Sequence, residues 1–158
     1  MARWPLTLRK KLLLRKVKKF EYDDSVAPSD CAFRAFGDDL CEVFRQAALA
    51  VTTCMVKTDT VARKRTCAIE LSAASEEELL YDWLSEIIFL KDSERLFLVD
   101  YEIRIETGEN IVLKAQAAGD TIDYKTQNIA VDVKAVTMYK FSLRKNDSGW
   151  EAFVVIDL

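Results

Sequence analysis

Acidic residues at two strand ends of this sequence are its best candidates for chemistry. Asp30 begins an apolar segment after a proline-containing loop, and Asp157 ends the last apolar segment. Leu158 would add the carboxylate of the chain terminus. Oxygen atoms of this kind bind hard cations such as calcium and magnesium. The sequence therefore predicts a divalent cation site if these groups meet, and the alternative is that both aspartates are solvated surface residues.

Other reactive groups are sparse. The chain contains no histidine, which removes the usual general base near neutral pH and the commonest zinc ligand. Its four glycines form neither GxGxxG nor GxxxxGK[ST]. Lys134 could act as a base, but a lysine before an apolar pair in a strand more often faces outward. Cys31, next to Asp30, lacks the cationic neighbours that activate a thiol. We therefore expect no catalytic activity of the protein's own.

Cysteine usage and hydropathy predict a cytoplasmic protein. The four cysteines have wide, irregular spacing, which suits neither a metal-binding CxxC pair nor a secreted disulfide framework. We expect them to be reduced, buried thiols. They are Cys31, Cys41, Cys54 and Cys67. No run of eighteen apolar residues is present, so we expect no membrane span.

Charge is unevenly distributed along the 158 residues. Residues 1–19 contain eight basic residues and no acid, so the remainder has 26 acidic against 15 basic residues. This basic N-terminal arm is a candidate for contact with RNA phosphates or an anionic membrane. The alternatives are a solubilising leader or a targeting segment. The candidate RNA contacts are Arg9, Lys10, Lys11, Arg15, Lys16, Lys18 and Lys19.

Two helices and two strands are predicted in the first half. Apolar and polar residues alternate over 30–36 and 64–71, which is typical of strands. A helix over 39–55 begins with Asp39 and Glu42, an acidic variant of the capping box. The second helix begins at the capping box Ser75-Glu76-Glu77-Glu78, and its apolar residues recur at helical spacing.

The second half predicts hairpins. A strand from Arg95 turns at 107–110 and returns from Ile111 to Ala117. Residues 119–128 are polar, and we expect a surface loop. A last hairpin is predicted to run from Val131 to Leu143, turn at 146–149 and return through Trp150 and Val154. About seven strands and two helices indicate an α+β domain, with an antiparallel or mixed sheet and the helices packed on one face.

Several segments, in unbroken order, resemble the archease family from about Phe20 to Leu158. They are Phe33-Arg34-Ala35-Phe36-Gly37 after Asp30, Ala47-Ala48-Leu49-Ala50, the segment from Leu80 to Leu90, Val133-Lys134-Ala135-Val136-Thr137, and the terminus from Trp150 to Asp157-Leu158. The resemblance implies an archease-like domain over 20–158, which the basic arm over 1–19 precedes.

The resemblance implies a non-enzymatic helper that activates an RtcB-type tRNA-splicing ligase by promoting guanylylation of the ligase's active-site histidine. It also implies a metal, typically calcium, with magnesium or manganese as alternatives. By position, its ligands are Asp30, Asp157 and Leu158, and Lys134 is the functional lysine of the Lys-Ala-Val-Thr segment. The sequence departs from the family where Asp-His-Thr-Ala-Asp is usual, because residues 24–30 contain neither histidine nor threonine.

Two alternative functions remain open. The first is a chaperone or specificity partner of a tRNA methyltransferase, with the basic arm gripping RNA and tRNA reached indirectly. The second is a hydrolase that uses a carboxylate-bound cation. Two side-chain acids and a chain terminus would make a thin catalytic site.

Overall fold

Two capped helices and eight antiparallel strands make up the part of the chain described by the computed structural model, residues 19–26 and 29–158. The strands are β1 (Phe20–Asp23), β2 (Asp30–Gly37), β3 (Arg65–Ala73), β4 (Leu96–Glu106), β5 (Ile111–Thr121), β6 (Ala135–Val136), β7 (Ser142–Asn146) and β8 (Gly149–Asp157). The helices are α1 (Leu40–Met55) and α2 (Glu76–Glu94), and one 3-10 turn spans Thr58–Thr60. Neither helix is long and apolar enough to span a bilayer, a finding that covers the described residues. The predicted α+β class is confirmed.

Both helices begin where their caps predict. The Asp39 carboxylate accepts a hydrogen bond from the backbone N–H of Glu42 at 2.8 Å, and the Ser75 hydroxyl accepts one from the N–H of Glu78 at 3.2 Å. Each bond satisfies one of the amides that the first helical turn leaves without a partner. Helix α2 ends at Arg95, whose backbone is left-handed.

The strands divide between two antiparallel sheets. One has the order β1-β2-β8-β6, with β7 also paired to β8, and the other has the order β3-β5-β4. Strand β5 pairs with β3 on one side and β4 on the other, which completes the smaller sheet around it. The sequence predicted one sheet, whereas the structure has two.

Helix α1 contacts both sheets, so the expectation that the helices cover one face of one sheet is also revised. On one side the Tyr22 hydroxyl of β1 donates to the Ala50 carbonyl at 2.7 Å. On the other side the Thr52 hydroxyl donates to the Leu98 carbonyl of β4 at 2.9 Å. A helix with apolar neighbours on two sides is buried around most of its circumference.

One apolar core joins the helices to the inner faces of both sheets. Its largest fully buried side chains include Phe33, Phe44, Trp83 and Tyr101. The Trp83 indole N–H donates to the Phe44 carbonyl at 3.1 Å, and the Tyr101 hydroxyl donates to the Leu98 carbonyl at 2.9 Å. The polar atoms of these aromatic rings are thus satisfied inside the core.

The predicted surface loop at 119–128 is wrong at its start. Strand β5 continues through Thr121, because Gly119 lets two backbones meet: a Cβ at this position would lie 1.8 Å from the Phe97 carbonyl oxygen. The loop also contributes a buried side chain. The Gln127 amide donates to the Thr121 carbonyl at 2.9 Å.

The predicted strand from Val131 to Leu143 is also wrong. Only its Ala135–Val136 and the start of β7 at Ser142 pair with β8. A buried lysine holds the start of this segment, because the Lys91 ammonium of α2 contacts the Asp132 carboxylate at 2.5 Å and the Val133 carbonyl at 2.6 Å. These bonds tie residues 132 and 133 to the helix, just before β6 pairs with β8.

Candidate functional site

Antiparallel pairing of β2 with β8 brings the two predicted aspartates together. Asp30 is the register partner of Asp157, at the end of the ladder. Side chains of directly opposed residues lie on the same face of a sheet, with Cβ atoms about 4.5–5.5 Å apart. Residues from opposite ends of the domain therefore lie opposite each other on adjacent strands.

Two further backbone bonds add the other predicted residues to this end of the sheet. The N–H of Leu158 donates to the Ser29 carbonyl at 3.1 Å, which continues the β2–β8 pairing past Asp157. The N–H of Lys134 donates to the Asp157 carbonyl at 2.9 Å, and β6 pairs beside it. We call Asp30, Lys134, Asp157 and Leu158 the sheet-end cluster.

The electrostatics of the sheet-end cluster favour a bound cation. Like charges directly opposed on adjacent strands destabilise a sheet. Within residues 19–26 and 29–158, no lysine or arginine forms a salt bridge with Asp30 or Asp157. Asp157 and Lys134 are exposed, and Asp30 is half-buried. The two opposed acids, which form no salt bridge within the described residues, are therefore accessible to an ion.

The donor set suits a hard cation but is small. The two aspartates offer oxygen ligands alone, as calcium, magnesium and manganese prefer. The described residues contain no group of three or more histidine, cysteine, aspartate or glutamate side chains arranged to hold a metal. The carboxyl group of Leu158 is the third ligand predicted from the sequence, and Leu158 follows Asp157 directly at this end of the sheet.

A polar cleft of about 900 Å³ lies on the same face of the sheet and includes Asp30 in its wall. Arg34, four residues along β2, pairs with Glu151 at 3.4 Å, and its guanidinium lies 4.7 Å from the centre of the Phe153 ring. Arg144 also lines this cleft. The cleft leaves room beside Asp30 for a polar ligand or for side chains of a partner.

A pair of thiols occupies the other side of Asp30. Cys31 and Cys54 line a second cavity of about 430 Å³ together with Leu158, and both are half-buried rather than buried as predicted. The two thiols lie close enough to shift each other's pKa. Hydrogen bonding to Cys54, followed by burial, raises the pKa of Cys31. Hydrogen bonding to Cys31 lowers the pKa of Cys54 against the opposing effect of burial.

This thiol pair was not predicted from the sequence. Cys31 alternates with the core residue Phe33 along β2, and Cys54 continues the inward stripe of α1 after Ala47 and Val51. That pattern predicts that both thiols face inward. Their contact depends on where the last turn of α1 packs against β2, which periodicity does not define.

Lys91 positions the segment that leads to Lys134. Burial alone would lower the pKa of Lys91, but hydrogen bonds to the carboxylates of Asp132 and Asp92, with their charges, raise it above its usual value. The lysine therefore stays charged while it holds Asp132 and the Val133 carbonyl. Lys134 follows this anchor directly.

Of the basic residues predicted to contact RNA, Lys19 lies within the described residues. Its carbonyl accepts a hydrogen bond from the N–H of Phe36 at 2.8 Å, and its ammonium lies 3.5 Å from the Asp38 carboxylate. Lys19 is thus already paired. Arg9, Lys10, Lys11, Arg15, Lys16 and Lys18 lie outside the described residues.

Comparison with known proteins matches the chain to one family over most of its length. The model of the Archease protein family (MTH1598/TM1083) matches residues 20–158. Protein archease of Archaeoglobus fulgidus is 33% identical over 140 residues, which cover 89% of this chain and 99% of that protein. Protein archease of Methanosarcina barkeri is 35% identical over 144 residues, which cover 89% of this chain and 97% of the relative.

Two solved structures are similar to this chain. The solution structure of Methanobacterium thermoautotrophicum protein 1598 superposes with a TM-score of 0.77 and is 32% identical, covering 90% of this chain and all of that one. The crystal structure of an archease and possible chaperone from Thermotoga maritima gives a TM-score of 0.53 over 86% of this chain and 96% of its own. At 15% identity the latter similarity concerns the fold alone.

Proposed function

Because the chain belongs to the archease family, we propose that it is a non-enzymatic, cytoplasmic accessory factor that activates an RtcB-type tRNA-splicing ligase. In this proposal the protein promotes guanylylation of the active-site histidine of the ligase and supports its turnover. The sheet-end cluster is the part that enters the active site of the ligase.

One observation carries the proposal. Asp30, Lys134, Asp157 and Leu158 come from three separate chain segments and meet at one end of one sheet. Two acids, an exposed lysine and Leu158 therefore lie next to one another at the end of one sheet. Such a sheet end can carry charged groups into a partner without rearrangement of its own backbone.

In this proposal the oxygens of Asp30, Asp157 and the carboxyl group of Leu158 hold a divalent cation, with calcium first and magnesium or manganese as alternatives. When bound, the cation supplies positive charge for the phosphates of a guanine nucleotide. Asp30 and Asp157 orient these oxygens through their fixed register. The exposed ammonium of Lys134 is a second, independent donor to an anionic group.

Overall charge supports an encounter with a basic enzyme. Beyond residue 19 the chain has 26 acidic against 15 basic residues. Complementary potentials increase association rates and favour one orientation of approach. An acidic body is thus suited to a partner that binds RNA.

The test is single-turnover guanylylation of a cognate ligase with GTP, with and without the protein. We expect the wild type to accelerate formation of the guanylylated enzyme and Asp157→Ala to lose most of this effect. Asp147→Ala is the matched control, because Asp147 is an exposed aspartate at the opposite end of β8, in the turn that precedes it. Equal rates with wild type and with no added protein would contradict the proposal, as would equal losses in the two variants.

Cation binding requires its own measurement. We expect calorimetric titration with calcium to give one site in the wild type and none in Asp30→Asn or Asp157→Asn. A few residues added after Leu158 convert its carboxylate to an amide, and we expect this extension to weaken binding. Unchanged affinity would remove Leu158 from the ligand set.

A second candidate is a chaperone or specificity partner of a tRNA methyltransferase, with the basic arm on RNA. The eight basic residues in 1–19 favour it, as does the description of the Thermotoga maritima relative as a possible chaperone. We expect salt-sensitive binding of tRNA that is lost when residues 1–18 are deleted. If binding of tRNA is unchanged by salt and by the deletion, the basic arm is not the RNA contact.

A further inference from the structure

Cys31 and Cys54 line one cavity of the fold. Cys31 is the second residue of β2, and Cys54 lies in the last turn of α1, 23 positions later in sequence. Their side chains line the same cavity, and the two thiols lie close enough to shift each other's pKa. A disulfide requires the sulfur atoms to approach to about 2.05 Å and the Cα atoms to lie roughly 4.4–6.8 Å apart.

The remaining cysteines have no comparable access to either sulfur. Cys41 and Cys54 lie on the same helix thirteen positions apart, which at 1.5 Å per residue is about 20 Å. Cys67 belongs to β3 in the other sheet, where its register partner is Ala117. The fold therefore selects one pairing among those that four cysteines allow.

We propose that Cys31 and Cys54 form a reversible disulfide in response to a small hydroperoxide, and that this modification adjoins the sheet-end cluster. The bond would fix the start of β2, and with it Asp30, to the end of α1. The inference does not depend on ligase activation or on a bound cation, because it is tested on the purified chain alone.

The reaction balances with hydrogen peroxide as the oxidant. The sulfur of one cysteine attacks a peroxide oxygen, the O–O bond breaks, and the products are a sulfenic acid and one water. The second sulfur then displaces the hydroxyl group, so that the S–S bond forms and a second water leaves with the remaining thiol proton. Two thiols are oxidised to one disulfide while one peroxide is reduced to two waters.

The surroundings select the class of oxidant. Asp23, Asp24 and Asp30 line the cavity beside the two thiols, and its walls contain no lysine or arginine among the described residues. An anionic oxidant such as glutathione disulfide would be repelled by these carboxylates, whereas hydrogen peroxide is uncharged and small. We therefore expect the pair to react faster with hydrogen peroxide than with glutathione disulfide, relative to a free thiol under the same conditions.

The experiment maps the bond directly. The reduced protein is treated with hydrogen peroxide, quenched with an alkylating agent and digested without reductant for mass spectrometry. We expect the intact protein to lose the mass of two hydrogens. We expect the digest to contain a crosslinked peptide pair with Cys31 and Cys54. Dithiothreitol should reverse both changes fully. Wild-type protein in which both cysteines are recovered separately, alkylated or overoxidised, would overturn the proposal.

Matched variants distinguish disulfide formation between Cys31 and Cys54 from the general reactivity of thiols. Cys67→Ser should form the disulfide at the wild-type rate, and Cys31→Ser should leave a sulfenic acid on Cys54 that dimedone traps. Oxidation in guanidinium should give mixed pairings, because the fold no longer selects one. Equal yields of the same crosslink in folded and unfolded protein would also overturn the proposal, and this comparison needs no variant to fold.

Discussion

Removing one of the opposed acids of the sheet-end cluster should have effects of opposite sign with and without calcium. Asp30 and Asp157 are register partners, and like charges in such positions cost roughly 0.2–1 kcal/mol. Without metal, Asp157→Asn removes this repulsion. For a domain of this size about 1 kcal/mol changes Tm by about 2–4 °C, so we expect the variant to melt up to about 4 °C above the wild type in EDTA.

In saturating calcium the wild type should melt above Asp157→Asn, the reverse of the order in EDTA. A ligand at one hundred times its Kd stabilises the folded state by about 2.7 kcal/mol, which corresponds to a rise in Tm of about 5–10 °C. We expect this rise in the wild type and little of it in Asp157→Asn. Melting curves by circular dichroism in EDTA and in saturating calcium measure both quantities in one experiment.

Two comparisons make the result decisive. Asp147→Asn, at the far end of β8, should leave both the metal-free Tm and the calcium shift unchanged. Asp30→Asn should behave like Asp157→Asn, and the double variant should gain no more stability in EDTA than either single variant, since one substitution already removes the repulsion. The reasoning fails if Asp157→Asn is less stable than the wild type in EDTA or keeps the full calcium shift.

Three further predictions concern the anchors of the fold. Lys91→Ala should cost roughly 3 kcal/mol in urea unfolding, because it removes buried, charge-assisted hydrogen bonds, and hydrogen exchange should increase in the segment before β6. Gly119→Ala should cost about 3 kcal/mol or more in the same assay, since its methyl group would overlap the Phe97 carbonyl. The disulfide between Cys31 and Cys54 closes a loop of moderate length and should add roughly 3 kcal/mol, seen as a higher Tm that dithiothreitol abolishes.

Local signals account for the elements that the sequence predicted well. Asp39 with Glu42 and Ser75 with Glu78 have side chains that bind their own helix amides, so both helix starts follow from neighbouring residues. Such bonds involve positions three apart and need no knowledge of the rest of the chain.

Long-range contacts explain what the sequence could not predict. Residues 131–143 alternate like a strand, yet their start is held by Lys91, some forty positions earlier, which binds Asp132 and Val133. The strand β5 passes through Gly119 because the opposite backbone is close enough to exclude a side chain. Neither contact leaves a periodic pattern in the sequence.

The candidate site was predictable in part. Resemblance to the family identified Asp30, Lys134, Asp157 and Leu158, but their meeting depends on the register of β2 with β8 and of β6 with β8. Register is determined by packing across the whole sheet, and a shift by one residue would turn one of the aspartates to the other face. For the thiol pair beside Asp30, the sequence pattern showed only that Cys31 in β2 and Cys54 in α1 each face inward.

The pairing of β2 with β8 also determines when the protein can mature during its synthesis. Strand β2 leaves the ribosome early, whereas its partner is translated well over one hundred residues later. At about 5–20 residues per second, the nascent chain waits on the order of 10 s with one edge of β2 uncovered. An uncovered edge recruits other strands, so this interval is when a nascent chain is most exposed to aggregation and most dependent on ribosome-associated chaperones.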